Sequence, residues 1–320
     1  MMEEAELCFP ELLNTSCRRP PLPQSEEVLV YSLMFLFSLL TAVLNLLVII
    51  SISHYRQLHS PTNLIVLSLA MSDFIMGLVM PMEMWTCWVL GDLMCSLYFL
   101  LPITVISASV GNMVLISIDR YVAICDPLRY PTRITERGIT IGICLCWTCS
   151  LLYTIFILYD NLKHPGRYKS CHGECVIRLA GDVDLVFTFI IPFSVIIILY
   201  TRVFIVAVSQ ARAMRSHVAA KLQFSGTRMI NKSELKAART LGIVVAVFVL
   251  CYSPYYCVSL EGSSIIIGSA IEAFLSFLMF SNSGLNPLIY ALFYPWFRKA
   301  MKHIVTLQIL KPGSREANML

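Results

Sequence analysis

The sequence predicts an all-α membrane protein: a seven-transmembrane helix bundle with a short amphipathic helix on the inner face. Composition is the first observation behind this. Hydrophobic residues make up 57% of the 320 and charged residues 14%, with a mean hydropathy of +0.73. Those proportions exclude disorder, collagen and an ordinary soluble enzyme. The second observation is the spacing of the charges, which leaves seven long apolar stretches. The third is the distribution of Lys and Arg, eighteen of the 24 falling on one side of those stretches.

The stretches can be taken in order. Val30 to Tyr55 holds no Asp, Glu, Lys or Arg, and Gln57 to Met82 holds only Asp73. Leu93 to Ile118, Gly138 to Tyr159, Leu185 to Thr201 and Thr240 to Leu260 are also free of charge. Gly262 to Phe297 carries only Glu272. A helix needs about 20 residues to cross a hydrocarbon core. A spanning barrel would instead show alternation in segments of roughly ten residues. Beyond the last span, Tyr294-Pro295-Trp296-Phe297-Arg298-Lys299 leads into Met301, Lys302, Ile304, Val305 and Leu307. That spacing predicts the amphipathic helix, its basic residues facing anionic headgroups.

Seven spans put the two ends on opposite sides. The basic side holds Arg56, the group Arg120 to Arg137, the segment Arg202 to Arg239 and the residues after Phe297. The positive-inside rule places that side in the cytoplasm and the amino end outside. The organisation expected is an extracellular segment 1–28, a transmembrane domain 29–293, and a cytoplasmic amphipathic helix and tail 294–320. No charged-then-apolar leader stands in 1–28, so the first span is expected to act as the targeting signal. Asn14-Thr15-Ser16 is a glycosylation sequon on the outer side, with Asn14 the acceptor. Cys17, Cys95, Cys171 and Cys175 fall outside or at the outer rim, where two bridges can form; Cys8 and Cys87 complicate the count.

Polar groups inside spans point to function. Asp73 is the clearest, read as a structural carboxylate or as a sodium or proton site. Its candidate partners are Asn45, Asn112, Asn282, Ser283 and Asn286. Prolines at 81, 192, 254 and 287 imply bent helices, which suits a two-state receptor or a transporter.

Motifs then narrow the reading. Asn45 stands in the first span, Leu69-Ala70-Met71-Ser72-Asp73 in the second, and Cys95 with Asp119-Arg120-Tyr121 at the ends of the third. Trp147 marks the fourth, Pro192 and Tyr200 the fifth, and Cys251-Tyr252-Ser253-Pro254 the sixth. Asn286-Pro287-Leu288-Ile289-Tyr290 marks the seventh. In this order they resemble a rhodopsin-like, class A G protein-coupled receptor. The run from Asn282 to Phe297, the pair in Cys171-His172-Gly173-Glu174-Cys175, Ser16-Cys17 and Asp126-Pro127-Leu128-Arg129-Tyr130 resemble the trace amine-associated receptors. The resemblance implies disulfides Cys95–Cys175 and Cys17–Cys171. It also implies olfactory amine sensing at cilia, coupling to a stimulatory G protein, and cyclic AMP as the signal.

The chain departs from the pattern in four places. Pro102 stands where aminergic receptors carry the third-helix aspartate, Tyr252 replaces the usual tryptophan, and Phe280 and Leu44 replace a tyrosine and a glycine. With the third-helix aspartate lost and Asp184 kept on the fifth, the chain resembles a fish-type olfactory subgroup of trace amine-associated receptors, and that resemblance implies Asp184 as the amine anchor instead. From Pro192, eight residues of α-helix leave Asp184 roughly 80° beyond two turns, so spacing alone does not aim it inward. A helix-start carboxylate is the competing reading, although Asp182 is better placed for it. Tyr255 and Tyr256 resemble an aromatic pair that cages amines. Tyr252, Phe280, Ile103 and Ile106 are expected on the floor or wall. Glu83, Glu174 and Glu272 add negative potential, and Glu83 or Glu272 is the candidate to hold the far end of a diamine.

The resemblance implies a mechanism of shifting populations. Asp119 is expected to hold Arg120 at rest, with Glu234 also within reach. The sixth helix is expected to swing about Pro254, and Tyr200 and Tyr290 to move inward, with Tyr121, Asn286 and Pro287 completing the motifs. No enzyme activity, nucleic-acid binding or cofactor is expected beyond sodium at Asp73. The partners expected are a protonated amine, a stimulatory heterotrimeric G protein and the lipid bilayer. A receptor for a non-amine small molecule, or a transporter, is the alternative; a transporter is disfavoured by the lack of an inverted repeat.

Overall fold

The structure, a computed structural model, describes residues 7–12, 14–18, 24–81, 87–179, 181–219, 232–260 and 270–319. Its long helices are α1 (Gln24–His54), α2 (Pro61–Val79), α3 (Asp92–Cys125), α4 (Glu136–Lys163), α5 (Ile191–Ala219), α6 (Lys232–Leu260) and α7 (Ala270–Phe293). A shorter α8 (Pro295–Val305) follows. The fifth helix enters through a turn at Gly181–Asp184 and a π-helical turn at Leu185–Ile190, where the Ile191 amide donates to Val186 O, five residues back. Five described helical stretches are long and apolar enough to cross a membrane, on α1 to α4 and over Leu185–Ser209; Gly242–Val258 of α6 is a shorter one.

Local chemistry starts and stops these helices. Ser60 accepts from the Asn63 amide at 3.3 Å and Pro61 occupies the first turn of α2. Thr135 caps α4 by accepting from the Gly138 amide at 3.1 Å. Asp126 ends α3, and a single helical turn, Tyr130–Arg133, links it to α4.

The helices pack as a seven-helix bundle with α3 at the centre, against α2, α4, α5 and α6, while α1 packs on α2 and α7. Without a hydrophobic drive between helices in lipid, small residues and polar contacts hold such a bundle. A Cβ on Gly77 would lie 2.8 Å from the Ala42 backbone nitrogen, so α1 and α2 touch there through backbone, and Ser38 donates to Gly77 O. Trp147 Nε1 donates to Ser68 Oγ at 3.0 Å, tying α4 to α2. Ser109 Oγ donates to Ser72 Oγ at 2.9 Å, tying α3 to α2. Large apolar side chains such as Leu36, Phe156, Ile198 and Leu250 face outward, as lipid solvation requires.

At one end lie three disulfides: Cys8–Cys87 and Cys17–Cys171 join the amino segment to the loops, and Cys95–Cys175 joins α3 to the loop after α4. The Cys8 amide donates to Cys17 O at 2.9 Å, and the His172 amide to Thr15 O at 2.7 Å. Gly173 adopts φ 103°, and a Cβ there would meet the Cys8 Cβ at 2.9 Å. Beyond the two bridges expected among the four rim cysteines, a third uses Cys8 and Cys87, which the fold brings to a Cα separation of 5.5 Å. Asn14 is exposed in this segment. At the other end, α8 buries Trp296, Phe297 and Ala300 and exposes Arg298, Lys299 and Lys302.

A candidate ligand cavity above a polar core

A cavity of about 300 Å³ opens beneath the disulfide-linked segment. Pro102, Ile103 and Ile106 of α3, Tyr153 of α4, Asp184 and Thr188 of the fifth helix, Tyr255 and Tyr256 of α6, and Phe280 of α7 all line it, with the loop around Cys175 on one side. The structure thus brings Asp184, Ile103, Ile106, Tyr255, Tyr256 and Phe280 together around one space. Tyr252 is corrected: it is not among the lining residues. It lies one turn deeper than Tyr255 and Tyr256, 3% exposed, packed on Phe248 with ring centroids 4.3 Å apart. Glu83 lies outside the described residues. Glu272 belongs to α7, but its side chain lies outside the described residues too. Glu174 is held in its loop by the Ser170 amide and hydroxyl, at 2.8 and 2.6 Å.

Hydroxyl groups surround the Asp184 carboxylate. Tyr153 donates to Oδ1 at 2.7 Å and Thr188 to the same oxygen at 2.8 Å. The Tyr256 hydroxyl stands 3.4 Å from Oδ2. Among the described residues no Lys, Arg or His forms an ion pair with it. The π turn explains its aim. It absorbs one residue, so Asp184 and Pro192 come roughly 20° apart around the axis rather than roughly 80°. A carboxylate whose partners are all neutral donors has no cation opposite it and offers a place for one.

From Tyr256 an aromatic column descends. Phe189 stacks on Tyr256 at 4.7 Å, Phe193 lies tilted against Phe189 at 4.3 Å, and Phe248 stacks on Phe193 at 5.2 Å. Below lies the polar core. Asp73 is 1% exposed and accepts from Asn286 Nδ2 at 2.8 Å. Asn45 Nδ2 donates to Ser283 O at 3.0 Å. Asp73 Oδ1, Asn286 Oδ1, and both side-chain polar atoms of Asn112 and Asn282 are buried without a hydrogen-bond partner among the described residues. Buried polar atoms of that kind call for an explanation, an ion among them.

At the far end of α3, Arg120 pairs with Asp119, its Nε donating at 2.9 Å. Arg120 also donates to Thr62 Oγ1 at 2.6 Å. Thr62 in turn donates to Asp119 Oδ2 at 2.9 Å, and Tyr130 to Asp119 Oδ1 at 2.9 Å. Burial and the adjacent Asp119 charge push the Tyr130 phenol above its ordinary range, so it remains a donor. Tyr121 packs on the small cluster of Ile124 and Val203. Glu234 stands in the first turn of α6, and its side chain lies outside the described residues. Pro254 and Pro287 lie inside α6 and α7. The Tyr200 and Tyr290 hydroxyls are buried without a partner among the described residues.

Sequence reasoning does not single out Tyr153 or Thr188. A tyrosine amid an apolar helix reads as packing, and only the register of α4 against the π turn brings it to Asp184. Thr62 likewise stands in the first turn of α2 with no mark of its tie to Arg120.

The wider comparison fits this geometry. The family described as 7 transmembrane receptor (rhodopsin family) matches residues 44–290. The chain is 36% identical to trace amine-associated receptor 13c of Danio rerio over 334 aligned positions, covering 99% of this chain and 97% of that one. It is 38% identical to trace amine-associated receptor 7e of Mus musculus and 37% identical to receptor 7d of Rattus norvegicus, each covering 98% of this chain and 92% of the relative. At that identity across nearly the whole length, the chain belongs to the trace amine-associated receptors of the rhodopsin family.

Proposed function

We propose that this receptor senses small protonated amines, that Asp184 receives the ammonium, and that it signals through a stimulatory G protein and cyclic AMP. The family carries a small-molecule ligand, G protein coupling and a multi-pass place in the cell membrane. One observation carries the finer reading: Asp184 is the sole carboxylate among the described residues lining the cavity, and its partners there are hydroxyls. A charge so placed is costly without a cation. The Tyr255 and Tyr256 rings add cation–π attraction. Pro102, in the cavity wall on α3, offers no charge that could replace it.

In this reading the amino end faces outward, supported by the eighteen basic residues on the opposite side. Asn14 then carries glycan, and an olfactory role at sensory cilia follows the likeness to trace amine-associated receptors. The amine is sensed at the outer cavity, and the aromatic column below Tyr256 passes its effect to α6. The swing of α6 about Pro254 opens the Asp119–Arg120 end to the G protein, and Tyr200 and Tyr290, whose hydroxyls have no partner among the described residues, move inward.

The polar core fits a sodium ion. The unpaired oxygens of Asp73, Asn112, Asn282 and Asn286 are hard donors, Asn286 is already bonded to Asp73, and the carboxylate supplies the charge. Sodium bound there would favour the resting arrangement.

The test is a cyclic AMP reporter in cells screened with charged amines beside neutral analogues, run on wild type and Asp184→Asn. The expected result is a response to amines alone, abolished by Asp184→Asn at equal surface expression. A retained amine response in the variant discards the anchor. A response to neutral analogues favours a receptor for non-amine molecules.

A further inference from the structure

We infer that Tyr153, on α4, is a positioning residue for this site: with Thr188 it fixes one oxygen of Asp184 so that the other faces the ligand. The inference rests on the amine reading of Asp184 and adds which carboxylate oxygen takes the ammonium and what holds it there.

The geometry is a closed triangle of short contacts. Tyr153 Oη donates to Asp184 Oδ1 at 2.7 Å, Thr188 Oγ1 reaches the same oxygen at 2.8 Å, and the two hydroxyls lie 3.1 Å apart. Oδ1 is thus already well supplied with donors. Oδ2 has only the Tyr256 hydroxyl at 3.4 Å among the described residues, long for an O–H···O bond. The open acceptor is Oδ2, on the side of the Tyr256 ring. Both donors stand on held backbone. Ser150, Thr154 and Ile157 of α4 are buried on either side of Tyr153 in sequence, and the π turn puts Thr188 beside Asp184. Tyr153 also rests near Phe187, ring centroids 6.5 Å apart. A carboxylate fixed in this way loses little freedom when the ammonium arrives, which is where preorganisation adds affinity. The competing effect is that Tyr153 draws charge from the carboxylate. Fixing wins if removal of the hydroxyl weakens amines, and charge competition wins if removal strengthens them.

The experiment uses the purified full-length receptor in lipid nanodiscs, with thermal unfolding midpoints titrated against butylamine, hexylamine, octylamine, benzylamine and cyclohexylamine. Variants are Tyr153→Phe, Asp184→Asn, their double, Thr188→Val and Thr188→Ser. The expected result is that Tyr153→Phe raises the apparent Kd roughly tenfold while the amine-free midpoint stays near wild type. In the Asp184→Asn background Tyr153→Phe should have no further effect, which a merely structural role would not produce. Thr188→Val should reproduce the loss and Thr188→Ser should not, which keeps the test open if Tyr153→Phe folds poorly. Unchanged or tighter binding by Tyr153→Phe, or additive losses in the double variant, overturns the role of Tyr153 and leaves Asp184 as anchor. If no amine stabilises the wild type, the amine reading itself falls and this inference with it.

Discussion

The side-chain amide of Asn286 donates to the Asp73 carboxylate at 2.8 Å, tying α7 to α2 one residue before the Pro287 bend. Both groups are buried, and each keeps an oxygen with no partner among the described residues. If sodium uses those oxygens, agonist potency should fall as sodium replaces a bulky organic cation at constant ionic strength. Asp73→Asn should flatten that dependence. Equal sodium sensitivity in wild type and variant would place the ion elsewhere.

Thr62 bridges Arg120 and Asp119, with Tyr130 on the other carboxylate oxygen. Removing a hydrogen bond to a charged group weakens the resting arrangement. A loss of about 1.4 kcal/mol moves a two-state equilibrium tenfold. Thr62→Val should therefore raise ligand-free cyclic AMP several-fold, and Tyr130→Phe less so. Arg120→Ala should silence signalling while amine binding, read by thermal shift, persists. Signalling at wild-type level from Arg120→Ala would remove Arg120 from the coupling path.

The three disulfides should separate by function. Cys175 lines the cavity, whereas Cys8 and Cys87 do not. Replacing Cys8 and Cys87 together by Ser should lower the unfolding midpoint and leave potency within about threefold. This bridge closes a loop of 79 residues, and such bridges contribute typically 2–4 kcal/mol in soluble proteins, less where the bundle already restrains the ends. Replacing Cys95 and Cys175 should lower both stability and potency. The measurement is paired thermal unfolding and dose response on surface-matched cells.

Glycine spacing makes a further test. A methyl group at Gly77 would meet backbone at 2.8 Å, while one at Gly242 would meet only the Tyr200 ring at 3.4 Å. Gly77→Ala should cost about 1–3 kcal/mol through forced separation of α1 and α2. Gly242→Ala should be close to neutral. Surface expression and unfolding midpoint decide it, and equal behaviour of the two would argue against close backbone packing at Gly77.

The spans were legible because lipid leaves charges nowhere to stand, so the gaps between Asp, Glu, Lys and Arg mark the helices almost directly. The residues around the cavity were partly legible. Asp184, Tyr255, Tyr256, Ile103, Ile106 and Phe280 share its wall, while Tyr252 falls one turn too deep because a helix advances along its axis as it rotates. The facing of Asp184 could not be read from its distance to Pro192, since nothing in Leu185–Ile190 announces a widened turn. The bridge between Cys8 and Cys87 was hidden for a different reason: sequence separation says nothing about which loops meet above a bundle. Tyr153 and Thr62 act across helices, and a single chain written in a line does not show which of its neighbours come from elsewhere.

The widened turn at Leu185–Ile190 has a consequence for how this receptor can change. Wound as regular α-helix at the same length, this stretch would rotate Asp184 by roughly 100° and carry it out of reach of its three hydroxyls, whereas loss of the one extra residue would let the turn close with Asp184 still facing the same way. Ligand choice in such a chain then depends on how tightly one turn is wound as well as on which residues it holds, and a relative with the aspartate and the same length but a regular α-helix here should present that carboxylate away from the cavity.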